Sequence, residues 1–224
     1  MGLDQTIMLK EESKDPQLFT RLTIEINDIK HIHTLIGTNL GGSNPKSGLI
    51  VNSYDLIATE TKSEQIFEQL VEKASIDIIK FDLKERLTWF INKKTVQTAV
   101  KKQLMFEISY GPAFEEPAAR KTFLNNAFNL IKLTGGENII FTSDTENYLC
   151  CWTPFDLVSL GISLGMTKQQ AINAVSGNCE LAIAHGWMRK SFKASADILS
   201  EEEIERNKEY KKGILFEEEG KMED

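Results

Sequence analysis

Histidine and cysteine are scarce in this sequence, which contains three of each among its 224 residues. The cysteines are Cys150, Cys151 and Cys179, an odd number of which two are adjacent. That spacing fits neither a disulfide framework nor a zinc knuckle, because both need cysteines in separated pairs. We therefore predict reduced and mostly buried thiols in an intracellular protein.

Long apolar runs are missing as well. A membrane-spanning helix needs on the order of 18 to 20 consecutive apolar residues, and the sequence has no such run. The first fifteen residues also lack the basic start and apolar stretch of a signal peptide. The sequence therefore predicts no membrane span and no contact with a membrane.

A positive net charge is also absent, since the formal charge is -7 at pH 7. This balance argues against a free-standing nucleic-acid-binding protein, which is normally basic. The acidity is concentrated near the end of the sequence, where residues 191–224 carry 11 acidic and 6 basic side chains. Residues 84–103 are the opposite, with six basic side chains and one acidic. We predict an acidic, disordered tail over residues 192–224 and a basic segment within the folded body.

Short β-rich runs alternate with amphipathic stretches along the body of the chain. The runs predict five strands, at residues 20–26, 54–60, 76–83, 105–111 and 138–144. Helical periodicity predicts helices at 63–74, 118–136, 154–165 and 179–190. Such alternation is typical of a parallel sheet flanked by helices, either an open doubly wound sheet or a barrel. Residues 1–19 and 41–47 show no period, which predicts a terminal segment and a loop.

Several residues mark where these helices begin and end. Gly135 and Gly136 close the predicted helix at 118–136, in the position where a left-handed residue is needed. Thr167 and Gln170 have the spacing of a capping box. Asn178 is predicted to cap the last helix.

The histidines could indicate a metal site, because His31 and His33 resemble the His-x-His pair of metal-dependent phosphoesterases. Asp28 is a good N-cap, so the pair is expected on a helix, where residues i and i+2 point about 200° apart. His185 is the only other histidine. Such a set cannot converge on a multi-metal centre. We predict no metal site and no cofactor.

The basic segment offers a better candidate site. Lys84, Arg86, Lys93 and Lys94 follow the predicted strand 76–83 and should emerge at the carboxyl end of the sheet, where α/β folds place ligands. The aromatic pair at 89–90 lies among them. Cations beside rings suit RNA, because cations neutralise phosphates and rings stack on unpaired bases. The alternative, left open here, is that both rings are core and that the lysines at 101–102 end a helix favourably.

The motifs around this segment resemble the 30-kilodalton protein subunit family of ribonuclease P and ribonuclease MRP. The resemblance covers residues 20–191. Its most specific parts are the aromatic and basic loop, the Phe-Glu-x-x-Tyr-x-Pro motif at 106–112 and the Asn-Cys pair at 178–179.

The resemblance implies an α/β fold, a parallel (β/α) barrel of the polymerase-and-histidinol-phosphatase type that is incomplete at its N-terminus. Residues 1–19 are a non-matching segment, 20–191 form the partial barrel and 192–224 the acidic tail. Five strands leave two open edges, whereas a complete barrel closes on itself. The edge at strand 20–26 should be covered by a partner subunit or by a paired strand from residues 5–10.

The resemblance also implies the function. Members of the family are non-catalytic: the RNA of the particle removes the 5′ leader of precursor tRNA, and the MRP particle processes ribosomal RNA. The expected partners are the ribonuclease P and MRP RNA, a small paired subunit among other ribonuclease P proteins, and precursor tRNA through the particle. The expected location is the nucleus and nucleolus. The alternative is an autonomous metal-dependent phosphoesterase of the same barrel type.

Two sets of residues are expected to carry this function. The RNA-binding set is Lys84, Arg86, Lys93, Lys94, Arg189 and Lys190. The set that matches structural motifs of the family is Glu107, Tyr110, Pro112, Arg120, Asn126 and Asn178.

Overall fold

A computed structural model describes residues 5–9, 17–28, 32, 53–145 and 147–191. The strands are β1 (Gln5–Leu9), β2 (Gln17–Ile26), β3 (Leu56–Thr61), β4 (Ile78–Lys80), β5 (Met105–Ser109) and β6 (Ile139–Thr142). The helices are α1 (Glu64–Lys73), α2 (Lys93–Lys101), α3 (Gly111–Glu115), α4 (Pro117–Thr134), α5 (Pro154–Ser163), α6 (Lys168–Val175) and α7 (Gly177–Ser191), with a 3-10 turn at Tyr148–Cys150. The predicted loop at 41–47, His31, His33 and the predicted tail lie outside the described residues. Ile32 is helical and buried.

The strands lie in the sheet in the same order as in the sequence. β2 to β6 are parallel, which confirms the five predicted strands and the α/β fold. β1 pairs antiparallel with β2, with Gln5 opposite Arg21. The prediction of no regular element within residues 1–19 is therefore wrong, whereas the paired strand expected from residues 5–10 is present. Within the described residues, the sheet ends at β1 on one side and β6 on the other.

The ends of the helices follow local chemistry at most of the predicted positions. Gly135 ends α4 with a φ of 73°, where a side chain would be strained. Thr167 and Gln170 form the capping box of α6. The predicted cap at Asn178 is wrong, because this residue lies inside α7 and its side-chain amide donates to the carbonyl oxygen of Ile139 at 2.8 Å.

Alternating residues of the strands form two apolar layers, because successive strand side chains point to opposite faces. On the outer face, residues such as Ile79 and Phe106 pack against α1, α2, α4, α5 and α6. On the inner face, Ile78 and Met105 share a smaller cluster with Ile183 of α7. α7 therefore covers the inner face, and the other long helices cover the outer face.

The cysteines differ from the predicted burial. Cys151 is exposed, and Cys150 and Cys179 are of intermediate exposure. All three are free thiols. Burial raises the pKa of Cys179 to about 11. This thiol therefore stays protonated at neutral pH.

No helix in the described part of the chain combines the length and apolarity that crossing a bilayer requires.

Candidate functional site

A buried ion pair lies at the centre of the inner face. Arg21 on β2 donates from Nη1 to Oε1 of Glu107 at 3.0 Å and from Nη2 to Oε2 at 2.5 Å, and the two side chains are 1% and 0% exposed. Thr142 on β6 donates its hydroxyl to the same carboxylate at 2.6 Å. The Nε of Arg21 donates to Thr23 at 3.1 Å. The charges of the pair are therefore compensated inside the fold.

This pair requires a curved sheet. β3 and β4 lie between β2 and β5, so a flat sheet with strands about 4.8 Å apart would place the two backbones about 14 Å from each other. Direct contact of the side chains means that the strands curl toward the inner face. The inner face is therefore concave.

A cleft of about 230 Å³ opens at the carboxyl end of the parallel strands, next to this pair. Lys80, the last residue of β4, lies in the cleft and donates to Oδ2 of Asp144 at 2.6 Å. Its Nζ is 3.6 Å from Oε2 of Glu60. The other residues that line the cleft are Phe81, Asp82, Leu83, Lys84, Ser109 and Pro112.

The ammonium of Lys80 pairs with two carboxylates of this cleft, Glu60 and Asp144. Burial opposes its charge, but the hydrogen bond to Asp144 and the neighbouring charges outweigh burial and raise the pKa of Lys80. Burial raises the pKa of Glu60. Over the described ranges, no cluster of three or more histidine, cysteine or acidic side chains has the arrangement of a metal site. The cleft therefore contains a salt-bridge cluster in which one ammonium contacts two carboxylates.

The basic segment forms a loop after β4, and its two aromatic residues have different environments. The ring of Trp89 packs at 5.9 Å from that of Phe67 and 5.8 Å from that of Phe81, measured between centroids. Phe90 is 92% exposed. The alternative that both rings belong to the core therefore holds for Trp89 but not for Phe90.

Asn126 on α4 fixes the start of this loop. Its side-chain amide donates to the carbonyl oxygens of Leu83 at 2.9 Å and Glu85 at 2.8 Å. Asn126 is 9% exposed, so these two bonds are largely shielded from water. This motif residue thereby holds the backbone that carries Lys84 and Arg86.

The cations of the loop face outward. Arg86, Lys93 and Lys94 are exposed, and Lys84 is partly exposed. The ammonium of Lys84 is 3.7 Å from an oxygen of the exposed Glu116, and such surface pairs contribute about 0–1 kcal/mol. These four side chains lie on one continuous stretch, from the end of β4 to the first turn of α2.

The position of two of these lysines is unfavourable for the helix itself. Lys93 and Lys94 occupy the first turn of α2, which has no acidic residue. The helix dipole disfavours cations there by roughly 0.3–1 kcal/mol each, although Asn92 caps the backbone. Lys102 is different, because its ammonium donates to the carbonyl oxygens of Val71 and Glu72. Within the basic segment, Lys102 therefore stabilises the fold, whereas the cations from Lys84 to Lys94 face solvent.

Arg189 and Lys190 lie at the other end of the sheet. Arg189 is buried and donates from Nε to both carboxylate oxygens of Asp77, at 3.1 and 3.0 Å. Asp77 also bonds Nδ1 of His185 at 2.8 Å. Lys190 donates to Asp55 at 2.6 Å. Asp55 and Asp77 precede β3 and β4, so these cations hold α7 against the amino end of the sheet.

The remaining motif residues contact other parts of the fold or line the cleft. Tyr110 accepts a hydrogen bond from the backbone of Trp152 at 3.0 Å. Pro112 lies in the first turn of α3 and lines the cleft. The guanidinium of Arg120 lies 5.2 Å from the ring centroid of Phe114.

Sequence reasoning missed the buried charges Arg21 and Asp77 and the partly buried Lys80. Each is a charged residue within or beside an apolar strand run, and such residues are almost never buried unless they are paired. That pattern is the signal that could have found them. Their charged partners Glu107, Arg189 and Asp144 lie 86, 112 and 64 residues away in the chain.

Residues 5–191 match the family described as "RNase P subunit p30". The mouse protein "Ribonuclease P protein subunit p30" is 29% identical over 184 residues, which are 82% of this chain and 65% of the mouse protein. "Ribonuclease P/MRP protein subunit RPP1" of Saccharomyces cerevisiae is 26% identical over 173 residues, 77% of this chain and 55% of the yeast protein. The chain thus spans about two thirds or less of the length of these relatives.

A solved structure supports the fold. A chain of the "cryo-EM structure of archaeal Ribonuclease P with mature tRNA" superposes with a TM-score of 0.63, covering 85% of this chain and 80% of that chain. The sequence identity is 16%, so this likeness concerns the fold.

Proposed function

This chain belongs to the RNase P subunit p30 family, and on that premise we propose that it is a non-catalytic protein subunit of the ribonuclease P and MRP particles. The catalytic RNA cleaves precursor tRNA or ribosomal RNA, and this chain supports that RNA together with a small partner subunit. Its place of action is the nucleus and nucleolus.

The exposed cationic loop carries this proposal. Lys84, Arg86, Lys93 and Lys94 lie together in a protein whose net charge is -7. Two of them weaken the helix on which they lie, so helix stability does not explain their position. A bound phosphate would offset the destabilisation of α2 by Lys93 and Lys94, because its negative charge interacts favourably with both lysines and with the backbone N–H groups of the first turn. Asn126 fixes the loop that presents these charges.

The ion pairs of Arg189 and Lys190 support a different role for these two residues. A buried guanidinium that already bonds Asp77 has little surface to offer a phosphate. We propose that RNA contacts the loop cations, and that Arg189 and Lys190 position α7.

We also propose that the curled sheet is part of a barrel of the polymerase-and-histidinol-phosphatase type. The curvature at the Arg21–Glu107 pair supports this geometry. In the cleft, the Lys80 ammonium lies close to Glu60 and Asp144, which argues against the alternative of a metal-dependent phosphoesterase. The 224-residue chain should show no phosphatase or nuclease activity when divalent cations are added.

The test compares two charge-neutralised variants of the full chain. The first replaces Lys84, Arg86, Lys93 and Lys94 with glutamine. The control replaces four exposed lysines outside this loop, Lys73, Lys101, Lys132 and Lys168, so that both variants lose the same charge. Binding to the RNA of the particle is measured as a function of salt.

Each lost phosphate contact should lower the slope of log affinity against log salt by roughly 0.7 to 0.9. The loop variant should therefore bind more weakly and with a flatter slope, whereas the control should resemble the wild type. Both variants should melt near the wild-type temperature. Equal slopes in the two variants would contradict the proposed RNA-contacting role of the loop.

A further inference from the structure

The loop after β4 turns one ring outward between two anchored residues. Trp89 and Ile91 pack against the core, and Asn92 caps α2 through its side chain. Phe90 lies between them and is 92% exposed. Because its neighbours are fixed, the loop conformation itself directs the ring to the surface. A ligand that covers the ring would not have to order the loop first.

The charges around this ring favour a polyanion. Arg86 lies four residues before Phe90, and Lys93 and Lys94 lie three and four residues after it. The sequence from 86 to 101 contains no acidic residue. An apolar protein surface that covered the ring would bring these cations next to it without offering them a counter-charge. RNA would instead pair its phosphates with them.

The exposed ring also distinguishes between forms of RNA. Within a duplex the base faces are covered by stacking, so a phenyl ring finds no flat apolar surface. Unpaired nucleotides expose their base faces, and aromatic side chains among cations are how proteins bind such strands.

We infer that Phe90 stacks on an unpaired base of RNA while Arg86, Lys93 and Lys94 hold the neighbouring phosphates. This inference rests on the proposed RNA-contacting role of the loop and narrows it to single-stranded nucleotides.

A second exposed aromatic residue provides a matched control. Phe155, at the start of α5, is 84% exposed. Its neighbours in the sequence are Pro154 and Asp156, and it has no cation within four residues on either side. Its ring therefore offers similar area without the phosphate-binding charges.

The experiment measures binding of the full chain to two probes, single-stranded oligoadenylate and a blunt-ended RNA duplex with the same number of phosphates. Phe90→Ala should weaken binding to oligoadenylate roughly tenfold and leave duplex binding and the salt slope unchanged. Phe90→Trp should retain binding, because it keeps a flat ring. Phe155→Ala should bind both probes as the wild type does, and all variants should melt normally.

The other outcomes are distinguishable. If Phe90→Ala leaves oligoadenylate binding unchanged while the four-glutamine variant weakens it, the stacking role is wrong and the charged role stands. Equal loss of binding to both probes would also overturn the stacking role. If Phe90→Ala instead binds RNA normally but no longer captures a purified small partner subunit, the ring contacts protein and the stacking role is wrong. If the wild-type chain binds neither probe, the inference and the proposed role of the loop both fail.

Discussion

Arg21 and Glu107 meet through two side-chain hydrogen bonds, although 86 residues and two strands separate them. Both side chains are almost fully removed from water. Neither charge can remain there alone, since an unpaired buried ion loses its hydration without compensation. The pair therefore links the first parallel strand to the fourth and holds the curvature of the sheet.

Glu107→Gln should lower the free energy of unfolding by about 3 kcal/mol, because it leaves a buried guanidinium without a counter-charge. Denaturant unfolding followed by circular dichroism measures the change. Glu25→Gln is the control on the exposed part of β2 and should change stability by no more than about 0.5 kcal/mol. Replacing both partners, with Arg21→Met and Glu107→Leu, should recover most of the loss. A loss below about 1 kcal/mol in Glu107→Gln would show that the pair does not hold the sheet.

Asn126→Leu should weaken both the fold and the binding of RNA. It removes two hydrogen bonds to backbone carbonyl oxygens, which costs about 1–3 kcal/mol for a buried group. RNA affinity should fall although every loop cation is retained, because the loop is no longer fixed. Asn125→Leu alters the exposed neighbour on α4 and should preserve RNA affinity. Wild-type affinity in Asn126→Leu would mean that the loop holds its shape without this residue.

Gly111→Ala should destabilise the protein by about 1–3 kcal/mol. An added Cβ would lie 2.2 Å from the carbonyl oxygen of Ser143 and 2.8 Å from the Cβ of Thr145. Gly177→Ala is the matched control, since an added Cβ meets no atom within 4 Å there. Thermal melting should separate the two variants clearly. Identical melting temperatures would show that the segment around Ser143 moves aside without cost.

Asp55 should make stability depend on pH in the acid range. Burial would raise its pKa, but the hydrogen bonds from Lys190 and Thr20 outweigh burial and lower the pKa. A carboxyl group with a lowered folded-state pKa contributes stability above its unfolded pKa of about 4, and this contribution disappears as the pH falls through the folded pKa. Asp55→Asn should therefore flatten the loss of unfolding free energy below about pH 4, and Lys190→Met should do so in part. An acid limb that neither substitution changes would contradict this role.

Local signals in the sequence predicted most of the fold. The alternation of strand and helix gave five parallel strands at the right places, and Gly135 and the Thr167–Gln170 pair marked the helix ends. Each of these features depends on residues within a few positions of one another. The predicted strand 76–83 is longer than β4 (Ile78–Lys80) because Phe81 and Leu83, which follow β4, are buried without belonging to a strand. A run of apolar residues that are buried in a loop thus has the same sequence pattern as a buried strand.

The candidate site was predictable only in part, because its decisive contacts join distant residues. The sequence located the cationic loop but could not decide between core and surface for Trp89 and Phe90, which depends on the packing of α1. The sequence predicted that Arg189 binds RNA, because no local feature reveals its partner Asp77, which lies 112 residues earlier. Asn178 has the composition of a cap, and its contact with β6 is equally non-local.

The strand order has a consequence for the growth of this protein on the ribosome. Every strand pairs with the strand made just before it, so the sheet can assemble in the order of synthesis from contacts that are short in sequence. The buried ion pairs Arg21–Glu107 and Asp77–Arg189 cannot form in this way. Glu107 reaches Arg21 only after β5 has been made, and Arg189 reaches Asp77 only when α7 is complete. Until its partner has been made, each of these charges has no counter-ion and stays in water, because an unpaired charge is costly to bury.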